Sequence, residues 1–226
     1  MDETFLTMLD RNAEHADAFD DRFEGLQHEQ HPESVTVCCS DSRVLQDHIW
    51  GNDEPGRQFS CGNIGNRVVQ RTAEGTRVSG DVLYPLAHTQ TDVAVVVGHT
   101  GCGAVTATYD ELTDGREEPP GIEHCIDLLA PGLEPGVEAL PAGLDQGAAV
   151  NHLVEYNVDR QVEFLTTSDE VPESVQAVGV VYDFQDAYEG KRGEVHVINV
   201  DGETDPGALR ETHPAIADRV QRLWEY

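Results

Sequence analysis

The sequence predicts an α/β protein: a mainly parallel central β-sheet of about five strands, flanked by helices and preceded by an N-terminal helical arm. Three observations carry this. Short strand candidates, most of them rich in β-branched residues, recur at 35–39, 58–61, 93–98, 175–182 and 194–200. Helical patterns fill the gaps at about 76–90, 103–113 and 147–167. Strands that alternate with helices pair in parallel through right-handed crossovers.

In chain order, Phe5, Leu6, Met8, Leu9, Ala13, Ala16 and Phe19 recur at helical spacing among acids, so residues 3–30 read as helix and 1–33 as an arm. The first strand, Val35-Thr36-Val37-Cys38, ends at Cys39. The third, Val93-Ala94-Val95-Val96-Val97, is capped by Gly98. The stretch 114–146 holds Pro119-Pro120-Gly121, Pro131-Gly132, Pro135-Gly136 and Pro141. Such residues interrupt regular structure, so it is expected as a surface excursion with a short helix around 123–129. With no repeat and no boundary, 1–226 reads as a single domain.

Charge sets the surroundings. There are 43 acidic residues against 14 basic ones, a net charge of −29. Nucleic acid and anionic membranes are excluded as partners, because their phosphates are repelled. The β-branched runs argue against disorder. A folded protein with a densely acidic surface suits a cytoplasm at molar salt, as in a halophilic organism, where the Debye length falls to about 3 Å and self-repulsion is screened. Loss of structure at low salt is therefore expected. A melting temperature that does not change between dilute buffer and molar salt contradicts this reading.

The acidic start, Met1-Asp2-Glu3, is followed by no long apolar run, so no secretory signal is expected, and no stretch has the ~18 apolar residues of a membrane span. Five cysteines without an export signal fit free or metal-bound thiols in a reducing cytoplasm. No Cys-x-x-Cys is present, which argues against a thiol–disulfide oxidoreductase.

Two strand ends carry soft metal ligands: Cys39-Ser40-Asp41-Ser42-Arg43 and His99-Thr100-Gly101-Cys102. In a parallel sheet such ends share one edge, so Cys39, His99 and Cys102 can meet. Two thiolates and an imidazole suit zinc and leave a fourth position free. Arg43 can hold Asp41 in a bidentate pair, and a carboxylate so held only accepts hydrogen bonds. Released, Asp41 becomes a fourth ligand and closes the site. Cys38 points to the opposite face of its strand, and Cys38, Cys61 and Cys125 are read as non-ligands. His48 and His88 are candidate proton shuttles.

This constellation resembles the β-class carbonic anhydrases, and the likeness extends over about 35–200. The family's Cys-x-Asp-x-Arg stands as Cys39 to Arg43, its Pro-Gly-x-x-Phe as Pro55 to Phe59, its Asn-x-Gly-Asn as Asn63 to Asn66, and its Gly-His-x-x-Cys-Gly as Gly98 to Gly103. Tyr182-Asp183 and Gly190 match a late Tyr-Asp and glycine. One departure is Gly62, where members often carry arginine.

The resemblance implies one Zn2+ per subunit on Cys39, His99 and Cys102, an Asp41–Arg43 catalytic dyad, and reversible hydration of carbon dioxide by a zinc-bound hydroxide that Asp41 orients. It also implies a homodimer or a dimer-based oligomer in which the arm wraps the neighbour. Two other functions use the same residues: a zinc hydrolase of carbon disulfide or carbonyl sulfide, and a non-catalytic zinc-binding protein. The intact dyad counts against the second.

Overall fold

The computed structural model describes residues 2–224. Helix α1 (Glu3–Phe19) and a 3-10 turn (Asp20–Phe23) lead into strand β1 (Ser34–Cys39) and short helix α2 (Gln46–Ile49). Strand β2 (Gln58–Asn63), the hairpin β3 (Val69–Thr72) and β4 (Gly75–Val78), helix α3 (Gly80–His88) and strand β5 (Val93–His99) follow. Four helices come next: α4 (Gly103–Asp114), α5 (Pro120–Ile126), α6 (Ala130–Ala139) and α7 (Gln146–Thr167). Strands β6 (Gln176–Asp183) and β7 (Glu194–Val200), helix α8 (Pro206–Thr212) and a 3-10 turn (Pro214–Arg219) complete the order.

The five expected strands form one sheet in the order β2-β1-β5-β6-β7, parallel except for the antiparallel β6–β7 pair. The chain leaves β1 for β2 on one side and later returns to β1's other side as β5. The strand order therefore reverses between β1 and β5, the place where α/β sheets open a crevice beyond their carboxyl ends. Cys38 lies level with Val97 across that boundary, so Cys39 and His99 both emerge at its rim.

Apolar side chains fill both faces of the sheet. On one, Val35, Val37, Cys39 and Val96 pack with α3, α4, α6 and α7. On the other, Cys38 and Val97 pack with Val180, Val200, Leu209 and Val220. Cys38 and Cys39 thus face opposite sides, as strand alternation requires. Helix α7 is capped by Asp145, whose carboxylate accepts the Ala148 amide at 2.8 Å, and it lies tight on the sheet. A Cβ on Gly98 would stand 2.7 Å from Val158 and 2.8 Å from Val154, so only glycine lets the helix approach there.

Three expectations change. The helix read over 76–90 begins only at Gly80, because Thr76-Arg77-Val78 pairs as β4 against β3. β-Branched residues at 76 and 78 suit that pleated pairing. The arm is helical only to Phe19; beyond it the spacing is lost, Gly25 takes φ +86°, and 24–33 is irregular. Within 114–146, α5 and α6 cover most of the stretch, and Ile126, Leu129 and Leu133 are buried. The prolines there sit largely where they do no harm: Pro120 opens α5 and Pro131 lies in the first turn of α6, where an N–H has no helical partner in any case. Among the described residues, no helix is long and apolar enough to cross a membrane.

Candidate metal centre

Three side chains meet at the β1–β5 rim. The Sγ atoms of Cys39 and Cys102 and a ring nitrogen of His99 all lie within 4.8 Å of one another, and all three residues are buried. Each arrives by a different local rule. Cys39 is the last residue of β1, His99 the last of β5, and Cys102 the residue immediately before α4. Between the latter two, Gly101 turns the chain with φ +62°, and a Cβ there would collide with the Gln185 side chain. Backbone amides of Ala104 and Val105, in the first turn of α4, point at the Cys102 sulfur. The Gly65 amide, in the Asn63–Asn66 turn, points at Cys39.

Whether these groups suit a cation is decided by what they lack. His99 Nδ1 lies 3.0 Å from the Thr100 carbonyl oxygen, which only accepts, so Nδ1 carries the proton. The lone pair is then on Nε2, which is buried and has no hydrogen-bond partner. That tautomer lock is the usual preparation of a histidine ligand. The two thiols are poised against each other. The Cys102 thiol's hydrogen bond draws Cys39 below the ordinary thiol range, and the same bond, with burial, pushes Cys102 above it. Two thiol sulfurs and one orphaned imidazole nitrogen thus crowd a single point, an arrangement that would suit a soft dication. The donor set fits zinc.

Asp41 stands beside this group. Arg43 donates from Nε to Oδ1 at 2.9 Å, from Nη2 to Oδ2 at 2.6 Å, and from its backbone amide to Oδ1 at 2.9 Å. These bonds hold the Asp41 carboxyl well below the usual carboxylate range, the Arg43 side chain foremost. A depressed pKa contributes stability that is fully present above about pH 4, the unfolded value, and lost only as pH falls towards the folded one. Asp41 Oδ2 is 3.7 Å from His99 Nε2, yet the carboxylate is turned to the arginine. Arg43 Nη2 also donates to the Gly101 carbonyl at 3.1 Å, tying the first motif to the second.

Behind the turn lies a layer of which sequence reasoning singled out only Asp183, through the Tyr182-Asp183 match, without giving it a role. Asn151 of α7 accepts the Gly101 amide at 2.8 Å. Buried Asp183 accepts the Thr100 hydroxyl at 3.2 Å and the amides of Gln185 and Tyr188 at 2.8 and 3.0 Å. Phe184 stacks near His99, with ring centroids 5.8 Å apart. A polar residue on the buried face of a long helix was the available signal for Asn151.

The other expected residues lie elsewhere. Cys38 is on the far face, with its thiol pushed up to about 12 by burial. Cys61 donates to the Asp81 carbonyl at 3.3 Å, and Cys125 lies 3.5 Å from Arg67 Nη2. His48 and His88 are exposed, and among the described residues no hydrogen bond carries either to Asp41 or His99. Gly62 is exposed beside Gln46 and Ser40.

Fold and site together define a mainly parallel α/β protein with a cluster of two cysteines and a histidine, able to hold a metal, at its topological switch point. Comparison with known proteins narrows the class. Residues 34–191 match the profile of the family described as carbonic anhydrase, and the chain belongs to that family. A Helicobacter pylori carbonic anhydrase is 30% identical over 134 residues, 57% of this chain and 59% of that protein, so the matched part spans less than two thirds of that relative. A Mycolicibacterium smegmatis carbonic anhydrase is 28% identical over 74% of this chain and 77% of its own. Among solved structures, a tetrameric β-carbonic anhydrase of Sordaria macrospora superposes with a TM-score of 0.72 at 25% identity, covering 88% of this chain and 98% of that one. The β-carbonic anhydrase CafA of Aspergillus fumigatus gives 0.71 at 25%, covering 97% and 100%.

Proposed function

We propose that the protein is a carbonic anhydrase that interconverts carbon dioxide and bicarbonate at a zinc ion held by Cys39, His99 and Cys102. The observation that carries this is an Asp41 carboxylate turned to Arg43 beside an orphaned, buried His99 nitrogen. When bound, zinc supplies Lewis acidity towards water.

The chain's own groups do the rest. Cys39 and Cys102 balance the cation's charge. Asp41, kept ionised by Arg43, accepts a hydrogen bond from the attacking water and so turns an oxygen lone pair towards the substrate. Arg43 prevents Asp41 from taking the fourth ligand position. Thr100, Asn151 and Asp183 hold the turn on which Cys102 and the Gly101 carbonyl depend.

The assembly is proposed as a homodimer or a dimer-based oligomer in the cytoplasm of a salt-adapted cell. No residue of α1 is buried, and Phe5, Leu6, Met8 and Leu9 are each about half exposed, so its apolar stripe needs a second copy to cover it.

Stopped-flow hydration of carbon dioxide at molar salt tests the reading. Activity is expected to vanish with a chelator and return with zinc. Asp41→Asn is expected to keep its metal and lose about 100-fold in kcat, the lower end for a positioned acid–base group. Full activity in the chelated protein removes the metal from the mechanism, and an unchanged Asp41→Asn rate removes the dyad.

A further inference from the structure

Phe184 follows the last residue of β6 and, among the described residues, is the aromatic ring that contacts both halves of the site. Its ring centroid lies 4.7 Å from the Arg43 guanidinium carbon, and its plane is 22° from that of His99. It is set there by the backbone: its amide donates to the Thr100 hydroxyl at 3.2 Å, and that hydroxyl donates to buried Asp183.

Arg43 needs such support. Its side chain is 50% exposed, and an ion pair so open to water is weak by itself. Asp41 Oδ2 is only 3.7 Å from His99 Nε2, so a modest rotation takes the carboxylate to the ligand cluster. Two contacts outside the pair oppose that rotation: the Gly101 carbonyl on Arg43 Nη2, and the Phe184 face against the guanidinium. An aromatic face attracts a cation placed within about 6 Å of its centroid, more so when partly screened from water.

We propose that Phe184 is a positioning residue which, by seating Arg43, keeps Asp41 off the metal and the fourth ligand position open. The proposal rests on the zinc centre proposed above, and it concerns which ligand fills the fourth position.

Azide titration of the cobalt(II)-loaded protein at fixed molar salt, followed by visible absorption, reads that position directly. F184L keeps apolar bulk and loses the aromatic face. It is expected to bind azide about tenfold more weakly, equivalent to about 1.4 kcal/mol, with its cobalt content unchanged. F184Y keeps the face and is expected to bind azide as wild type does. In the F184L background, Asp41→Asn removes the competing carboxylate and is expected to restore the affinity. F184M carries the same expectation as F184L should the branched side chain prevent folding.

Wild-type azide affinity in F184L or F184M overturns the proposal. So does loss of the metal itself, which would place the role of Phe184 on His99. A wild-type protein that takes no metal, or does not hydrate carbon dioxide, defeats the proposed function instead.

Discussion

Cys39→Ala is expected to abolish metal binding and activity, whereas Cys38→Ala, one position away, is expected to leave both in place. The two thiols are buried to similar degrees, 5% and 0% exposed, so loss of packing cannot separate them. What separates them is the face of β1. Cys39 lies within 4.8 Å of the His99 and Cys102 ligand atoms, while Cys38 packs against Val97 and Val180 on the other side. Disturbing only the hydrogen-bond partners of a metal ligand costs about 10–100-fold in affinity, so removing a thiolate is expected to cost more than about 100-fold. Cys38→Ala deletes one sulfur from a tight interior and is expected to cost about 1–2 kcal/mol of stability. Zinc stoichiometry after dialysis at molar salt, with stopped-flow rates on the same samples, checks both. Metal retained by Cys39→Ala, or lost from a folded Cys38→Ala, would falsify the assignment of faces.

That contrast also shows why so much of the centre was legible. A metal site fixes residue types, and strand alternation fixes which of two adjacent cysteines faces it. The sheet was readable for a similar reason: buried parallel strands are near-continuous apolar runs, and the central strands β1, β5 and β6 stand out in this way between polar segments. The hairpin over 69–78 was hidden because Thr76, Arg77 and Val78 adjoin a helix whose pattern absorbed them. Helix α5 was read only in part, as a short helix around 123–129, and α6 was hidden, because prolines at 120, 131 and 135 carry opposite meanings at a helix start and inside one, and position is not known before the helix is. The layer of Asn151, Asp183 and Phe184 was least legible: only Asp183 stood in a recognised motif, and none of the three had a readable role. Each acts through contacts with residues 50 or more positions away in chain order, as Asn151 does with Gly101, and no local pattern records such a contact.

Glu155→Ala is expected to destabilise the fold by about 3–5 kcal/mol, the cost of breaking a buried charged network by removing one partner. Glu155 is fully buried in the middle of α7, and burial is the foremost influence raising its pKa. Its carboxylate gathers the end of the chain. Oε1 accepts the Tyr188 hydroxyl at 2.6 Å and the Leu223 amide at 2.8 Å, and Oε2 accepts the Trp224 amide at 3.0 Å. Arg222 lies 3.8 Å away and bonds Asp159 at 2.6 Å, with both of those side chains 2% exposed. Alanine leaves two amides and a phenol without their acceptor in an interior that water does not reach, and it takes one of the two carboxylates from beside Arg222.

Glu155→Gln separates charge from shape. Its oxygen can still serve Tyr188 and Leu223, but its NH2 meets the Trp224 amide donor against donor. It is therefore expected to fall between wild type and alanine, at about 1–3 kcal/mol, the cost of an unsatisfied buried group. Chemical denaturation at fixed molar salt measures both. Trp224, 6% exposed and packed on His152 and Tyr156, gives a local readout in a Trp50→Phe background, where its emission is expected to shift to the red as the tail lifts from α7. A Glu155→Ala protein within 1 kcal/mol of wild type, or one whose Trp224 stays buried, would mean that the strap of residues 221–224 is held by its apolar contacts and not by the carboxylate beneath it.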